Sequence, residues 1–173
     1  MRTLLLILAM AGSGPSSLAA AWSPAVGPAA SAWTGGYRAP VVGGLRVLRG
    51  FSPPAIRYQA GHLGVDLADP AGAVVFAAGA GQVRFAGQVA GRSVVVIAHP
   101  DGISTEYEPV TATVTVGERV WAGQPIGRLT GRHRGCPAAG CLHWGARRAG
   151  NYLDPLSLLR PLGVVRLLPW DGG

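Results

Sequence analysis

Three residues of this 173-residue chain, His62, Asp66 and His143, combine metal-binding side chains with a spacing that favours a shared site. His62 and Asp66 are four residues apart, next to glycines that allow close backbone approach. On an extended backbone, even spacing places both side chains on one face, and the same rule pairs Cys141 with His143. Two imidazoles and one carboxylate form an open zinc site, in which the metal lowers the pKa of a water towards 7 and polarises a scissile carbonyl. Spacing alone does not establish such a site, because a His–Asp pair at this separation arises often by chance and a single histidine is usually structural.

The segments that carry these residues are predicted to be short strands. Apolar runs alternate with Gly, Pro and Asp turn signals, a pattern typical of an all-β sandwich or a small antiparallel barrel-like domain. Val94–Ile97 is a β-branched run with strong strand propensity. The one helix predicted is short, Pro155–Leu159, with Asp154 as its N-cap. The predicted strands are Leu45–Leu48, Gly64–Leu67, Val74–Ala77, Gly81–Ala86, Ser93–Ala98, Ser104–Pro109, Thr113–Val116 and Pro125–Leu129.

The N-terminal segment, residues 1–21, has the layout of a secretory signal peptide. A positive Arg2 precedes a short apolar stretch, which ends in small residues at Ala21. The apolar stretch is too short to span a bilayer, so no membrane anchor is expected after cleavage. We therefore expect a secreted protein, in the cell wall or periplasm, with a Pro/Ala/Gly-rich linker or arm (22–43), one domain (44–161) and a C-terminal tail (162–173).

Cys136 and Cys141 are the two cysteines of the chain. In an oxidising compartment, two nearby cysteines most simply form a disulfide that closes a small loop. The alternative is that Cys141 is a fourth zinc ligand, which would close the site and make it structural.

The composition excludes several classes of function. All 15 basic residues are arginine, and the lack of lysine excludes Schiff-base enzymes, lipoyl or biotinyl carriers and P-loop enzymes. A hydrophobic fraction of 49% and a charged fraction of 13% exclude a disordered chain. The net charge of +7 is spread along the sequence, which does not favour nucleic acid as a partner. An anionic cell-wall polymer fits better.

A series of motifs, in order along residues 45–160, resembles the lysostaphin-type (LytM-like) peptidoglycan metalloendopeptidases. Gly61–Leu67 resembles the family's H-x-x-x-D segment, and Leu142–Gly145 lies where the family has its H-L-H motif. Between them, Val74–Val83, Val94–Gly102 and Val114–Gly127 resemble the family's strand pair, central strand and Gly-rich hairpin. The ordered set is more specific than any single motif.

The resemblance implies a small antiparallel sheet with a groove that holds Zn²⁺. By this resemblance His62, Asp66 and His143 are the zinc ligands, and the substrate is peptidoglycan or its stem peptides. The function implied is hydrolysis of peptide cross-links in the bacterial wall.

Two departures from the family pattern affect the expected catalysis. Cys141 stands where the family has a catalytic histidine two residues before the last ligand, and Pro109 replaces a second helper histidine. A general acid or base contributes ~10²–10⁴ in rate, so both losses should weaken turnover.

Other residues are candidates to compensate for these losses. Tyr107 keeps its family position and is a candidate oxyanion donor. Glu108 and Glu106 flank it as weak candidate bases, but strand alternation turns them away from Tyr107. A disulfide could hold His133 near the groove, although a solvated loop histidine is the favoured interpretation. His99 is expected to be structural.

The alternative function is a catalytically weak or silent zinc-binding domain that binds the wall or regulates another hydrolase. Retention of all three ligand positions favours a metal-dependent role.

Overall fold

The computed structural model describes residues 36–56, 59–131, 133–136 and 138–159. The predicted signal peptide and C-terminal tail lie outside these residues, as does most of the predicted linker. Strands dominate the described chain, which confirms the all-β prediction, and the one helical element found there is a 3₁₀ helix, Pro155–Leu159. The strands are β1 (Val47–Arg49), β2 (Gly64–Ala68), β3 (Val74–Phe76), β4 (Gly81–Val89), β5 (Arg92–Ala98), β6 (Ile103–Glu108), β7 (Val110–Ala112), β8 (Arg119–Val120), β9 (Pro125–Leu129), β10 (Cys141–Arg148) and β11 (Asn151–Leu153).

The strands form two antiparallel sheets. The larger has the order β1-β2-β10-β6-β5-β4-β8, with β11 paired to the end of β10, and the smaller has the order β3-β9-β7. Buried side chains of both sheets meet in one core, which includes Trp144 and Ile97 from the larger sheet and Val75 and Ile126 from the smaller one. The core covers one face of the larger sheet, and the opposite face is available for a functional site.

Strand β10 separates core residues from site residues by simple alternation. Trp144 is fully buried and lies beside Val65 of β2 and Tyr107 of β6, on the core face. His143 is directly opposite Asp66 of β2, and it therefore lies on the other face. The central position of β10 thus brings residues 77 positions apart in sequence into cross-strand contact.

The predicted strands differ from the structure in two ways: Thr113–Val116 is not a strand, and β7, β8, β10 and β11 are not among the predicted strands. Thr113–Val116 was predicted as a strand, but the chain there leaves β7 and enters a turn at Gly117, which has a φ of +90°. The Glu118 carboxylate accepts a hydrogen bond from the Thr115 amide at 3.0 Å and stabilises that turn. The central strand β10 was missed, because its mixture of Cys, His, Gly and Arg lacks a β-branched run.

The last residues of the predicted linker pack against the domain. The Tyr37 hydroxyl donates to the Asp101 carboxylate at 3.0 Å, and the Arg38 amide donates to the Ala78 carbonyl at 2.7 Å. Val41 is buried in the core. Residues 37–41, part of the predicted linker, therefore pack against the folded unit.

In the described part of the chain, the structure has no helix of sufficient length and hydrophobicity to cross a membrane.

Candidate metal centre

Three predicted ligand residues converge on the face of the larger sheet opposite the core. Asp66 lies in β2 and His143 in β10, as direct cross-strand partners. His62 precedes β2 and is held by an isolated bridge to Ser52, with hydrogen bonds of 2.7 and 2.9 Å between the two backbones. The Asp66 Oδ1 atom lies 2.9 Å from His62 Nε2 and 3.0 Å from His143 Nδ1, and these two nitrogens are 3.1 Å apart.

A backbone carbonyl sets the orientation of the His62 ring. His62 Nδ1 lies 2.7 Å from the Gly50 carbonyl oxygen and therefore carries the hydrogen that it donates. In the neutral ring, Nε2 then presents its lone pair towards Asp66. A hydrogen bond of this kind on the far nitrogen is the usual way in which proteins orient a metal-binding imidazole.

Gly64 keeps space beside the second imidazole. A Cβ built on Gly64 would lie 2.7 Å from His143 Nε2 and Cε1, and 2.6 Å from the Trp144 carbonyl oxygen. Any larger residue would push the His143 ring or the backbone of β10. The close approach predicted for the glycines around His62 and Asp66 is therefore present in the structure.

The residues present fit a zinc ion. The neutral His62 ring points a lone pair at a carboxylate oxygen, an arrangement that is repulsive unless a proton or a metal cation lies between them. Asp66 is fully buried, and its Oδ2 atom has no hydrogen-bond partner among the described residues. A buried carboxylate is costly unless a cation compensates it. Two imidazoles with one carboxylate is a donor set of catalytic zinc sites.

The electrostatics of the site keep Asp66 ionised. Burial acts to raise the pKa of the Asp66 carboxyl, but hydrogen bonds from His133 and His143 and the positive charges of His133 and His62 outweigh it. The pKa of Asp66 therefore lies well below its usual range. The carboxylate is therefore available as an anionic ligand at neutral pH.

His133 is also part of this cluster, contrary to the prediction of a solvated loop histidine. Its Nε2 atom lies 3.0 Å from Asp66 Oδ1, and its side chain is only 7% exposed. The hydrogen bond with Asp66 is the largest of several effects that raise the pKa of His133, and burial acts against it. The sequence feature that placed His133 near the groove was its position just before the two cysteines.

The predicted disulfide between Cys136 and Cys141 is present. It joins the loop that follows β9 to the first residue of β10. The Cys141 sulfur is bonded in this disulfide, so the alternative of Cys141 as a fourth ligand does not apply to the oxidised protein.

Tyr107 does not lie in the site, and its prediction as an oxyanion donor is wrong. Its side chain is fully buried on the core face of β6. Its hydroxyl accepts a hydrogen bond from the Ala78 amide at 2.8 Å and contacts Thr105 Oγ1 at 2.8 Å. Burial raises the pKa of Tyr107 to about 12, against hydrogen bonds that lower it. His99 Nε2 bonds Thr105 Oγ1 in the same network, as expected for a structural histidine.

The two glutamates beside Tyr107 lie on the site face. Glu108 is the cross-strand neighbour of His143, and Glu106 is that of Gly145. Strand alternation therefore keeps both glutamates on the site face and places Tyr107 in the core. Both carboxylates are paired with arginines, Glu108 with Arg92 at 2.9 Å and Glu106 with Arg147 at 3.0 Å. The two positions where the family has its helper histidines hold Pro109 and the oxidised Cys141. Neither of these residues has a side chain that can transfer a proton.

Comparisons with known proteins match most of the described domain. The family model described as peptidase family M23 matches residues 60–155. An uncharacterised protein of Mycobacterium tuberculosis is 50% identical over 127 residues, which are 71% of this chain and 51% of that protein. The chain thus spans about half the length of this relative.

Solved structures share the fold. A zinc-containing peptidase of Vibrio cholerae is 25% identical with a TM-score of 0.59, over 74% of this chain and 40% of that one. The catalytic domain of lysostaphin, an antimicrobial peptidase of Staphylococcus simulans, is 25% identical with a TM-score of 0.57, over 66% of this chain and 92% of that one. The two-sheet architecture is therefore that of lysostaphin-type peptidases.

Proposed function

The chain belongs to peptidase family M23, and from this membership we propose that it is an exported zinc-dependent endopeptidase that hydrolyses peptide cross-links of bacterial peptidoglycan. One observation supports the metal-dependent part above all others. His62, Asp66 and His143 meet at distances of 2.9 to 3.1 Å, with both imidazoles oriented by the fold.

Some residues of the site would bind the metal, and others hold the ligand side chains in position. A zinc ion bound there would polarise a scissile carbonyl and lower the pKa of a water molecule towards 7. His62 is held by the Gly50 carbonyl, and Asp66 and His143 are held by the register of β2 and β10. Because both strands are anchored in the core, the ligand atoms keep their relative positions without substrate.

The sheet surface beside the ligands has polar groups suited to a peptide. Glu108 and Glu106 follow along β6, each partly exposed and each paired with an arginine that is about half exposed. Such ion pairs can exchange partners with the charged termini and side chains of a stem peptide.

The substrate and location follow from different observations. Peptidoglycan stem peptides are the substrate that the lysostaphin-type resemblance implies, and the signal-peptide layout of residues 1–21 supports export to the wall. The net charge of +7 favours association with anionic wall polymers.

The decisive experiment compares muropeptide release by the zinc-loaded protein and its Asp66→Asn variant. We expect release by the wild type, inhibition by a chelator with recovery on adding zinc, and no release by the variant. Urea unfolding of both proteins verifies that the variant is folded. Equal release by the two proteins would mean that the metal site does no chemistry. No release by a folded, zinc-loaded wild type would favour a domain that binds the wall or regulates another hydrolase.

A further inference from the structure

We propose that His133 is the catalytic imidazole of this site and takes over the work of the two helper histidines that the chain lacks. This inference rests on the proposed peptidase function. It assigns a role to a loop residue that aligns with neither helper position, since those positions hold Cys141 and Pro109.

The position of His133 is that of a group beside the metal ligands. Its Nε2 lies 3.0 Å from Asp66 Oδ1, and its ring centroid lies 5.5 Å from that of His143 at an interplanar angle of 74°. Its low exposure shows that the ring is packed into the site. A substrate carbonyl brought to the metal ligands would therefore also lie near this ring.

The orientation of the ring places a basic nitrogen towards the reaction. His133 Nδ1 lies 3.0 Å from the Arg134 carbonyl oxygen and donates its hydrogen to it. The exchangeable proton of the ring is therefore the one on Nε2: the protonated ring donates it to Asp66 at 3.0 Å, and the neutral ring has its lone pair on that side. This is the arrangement already described for His62 and Gly50, built from an unrelated segment of the chain.

The disulfide positions the loop that carries His133. The Cys141 amide donates to the Gly131 carbonyl at 3.2 Å, and the Cys136 amide donates to the His133 carbonyl at 3.2 Å. The bond between Cys136 and Cys141 ties both ends of this turn to the start of β10. The Cys141 sulfur lies 3.6 Å from His133 Nε2, so the residue that replaced a family histidine contacts the imidazole that we assign in its place.

Glu108 is the other base within reach, and its contacts are less suitable. Its carboxylate lies on the site face opposite His143, but Arg92 Nη1 binds it at 2.9 Å. A carboxylate held by a guanidinium is a weaker proton acceptor than a neutral imidazole nitrogen. His133 is therefore the better candidate.

The step assigned to His133 is a balanced proton transfer. As the oxygen of a water molecule bonds to the scissile carbonyl carbon, Nε2 accepts the proton that this water loses. When the carbon–nitrogen bond breaks, the same nitrogen gives that proton to the leaving amine. No oxidant or further reactant is needed.

The test uses the His133→Gln variant of the zinc-loaded protein and measures both muropeptide release and zinc affinity. We expect kcat to fall ~10²–10⁴-fold, the range that general acid–base catalysis contributes, with KM unchanged. Zinc stoichiometry should stay at the wild-type value, because His133 is assigned as a catalytic group and not as a ligand. Arg119→Ala, at an exposed position of β8 on the edge of the larger sheet, is the control and should keep the wild-type rate.

Two further measurements make the proposal falsifiable. In the zinc-loaded protein, ¹⁵N NMR of the His133 ring should show a protonated Nδ1 and an Nε2 without a zinc-induced shift. A Cys136→Ser/Cys141→Ser variant should retain zinc and lose at least tenfold in kcat, because the loop is released.

Several results would overturn the proposal. Wild-type kcat in His133→Gln would do so, and so would a large loss in Glu108→Gln alone, which would make Glu108 the base. Loss of zinc in His133→Gln, or a zinc-shifted Nε2, would make His133 a ligand. If the wild type itself releases nothing, the proposed function fails and this role fails with it. If wild type is active, Asp66→Asn is inactive and His133→Gln is active, only this inference fails.

Discussion

Two clusters of histidine with oxygen partners lie on opposite faces of the same sheet, and they differ in whether their hydrogen bonds can be completed. On the core face, His99 Nδ1 donates to the Ala80 carbonyl at 2.8 Å, so Nε2 accepts from Thr105. Thr105 then accepts from Tyr107, whose oxygen accepts from the Ala78 amide. Every donor has one acceptor, and the ring is neutral.

On the site face, the hydrogen bonds of the histidines cannot be completed in the same way. The Gly50 and Arg134 carbonyls take the Nδ1 hydrogens of His62 and His133, and the remaining lone pairs of both rings point at the Asp66 carboxylate. A cation or additional protons must complete this cluster. The comparison shows that a histidine is structural when its neutral ring is satisfied by neutral partners, and available for function when it is not.

The largest effect that separates the two clusters should come from a ligand substitution. His143→Ala should reduce zinc affinity by more than ~100-fold, which exceeds the loss caused by removing an outer hydrogen-bond partner. Competition with a fluorescent chelator measures the affinity. An unchanged affinity would remove His143 from the ligand set and end the contrast between the faces.

A steric change beside the site should have the next largest effect. Gly64→Ala should reduce zinc affinity ~10–100-fold, because its methyl group displaces the His143 ring that Gly64 accommodates. Gly145→Ala is the matched control on β10, since a Cβ there would meet its nearest neighbours at 3.6 Å, an ordinary contact. Equal affinities in the two variants would show that the His143 ring is not confined by Gly64.

A substitution in the core-face network should affect stability and leave the metal unaffected. Tyr107→Phe removes a fully buried hydroxyl and leaves the Ala78 amide and the Thr105 oxygen without that partner. We expect a loss of ~1–3 kcal/mol in the free energy of unfolding, measured in urea, with unchanged zinc affinity. If muropeptide release by the folded variant fell while its stability held, Tyr107 would regain the catalytic role that its burial argues against.

The smallest effect expected is a pH dependence of stability that comes from His99. Burial lowers the pKa of His99, although its bond to the Ala80 carbonyl and the charge of Asp101 act to raise it. The neutral ring is therefore favoured by folding, and this contribution is present above the unfolded pKa of about 6.5 and is lost as the pH falls towards the lowered folded value. In the metal-free protein, His99→Gln should lose less stability than the wild type between pH 7 and pH 5. Parallel curves for the two proteins would contradict a lowered pKa.

The parts of the fold that the sequence predicted are those set by local chemistry. The β-branched run in β5 predicted its strand, and Asp154 predicted the start of the 3₁₀ helix, where its carboxylate accepts from the Leu156 amide at 3.0 Å. Residue types and order along the chain also predicted that His62, Asp66 and His143 would lie together, and the structure groups them. Thr113–Val116 has the same β-branched character as β5, but a Gly117 turn overrides it, because strand propensity depends on context.

The parts that could not be predicted depend on tertiary contacts. The contact between His133 and Asp66 joins residues 67 positions apart through a loop whose path is set by a disulfide, and neither residue has a local pattern that reveals it. The face of β6 that looks onto the site was also misassigned. Strand alternation places Tyr107 and Glu108 on opposite faces of β6. Only the pairing with β10 decides which of the two side chains lies in the core.

The alternation of β10 also limits how its gene can change in length. Insertion or deletion of one codon within the strand, before His143, would turn His143 and Trp144 to the opposite faces of the sheet. A ligand would then enter the core and an indole would enter the site. A two-codon change would keep each class of side chain on its own face and shift only the register. Length variation among functional descendants of this chain should therefore be confined to the connections between strands, outside β10.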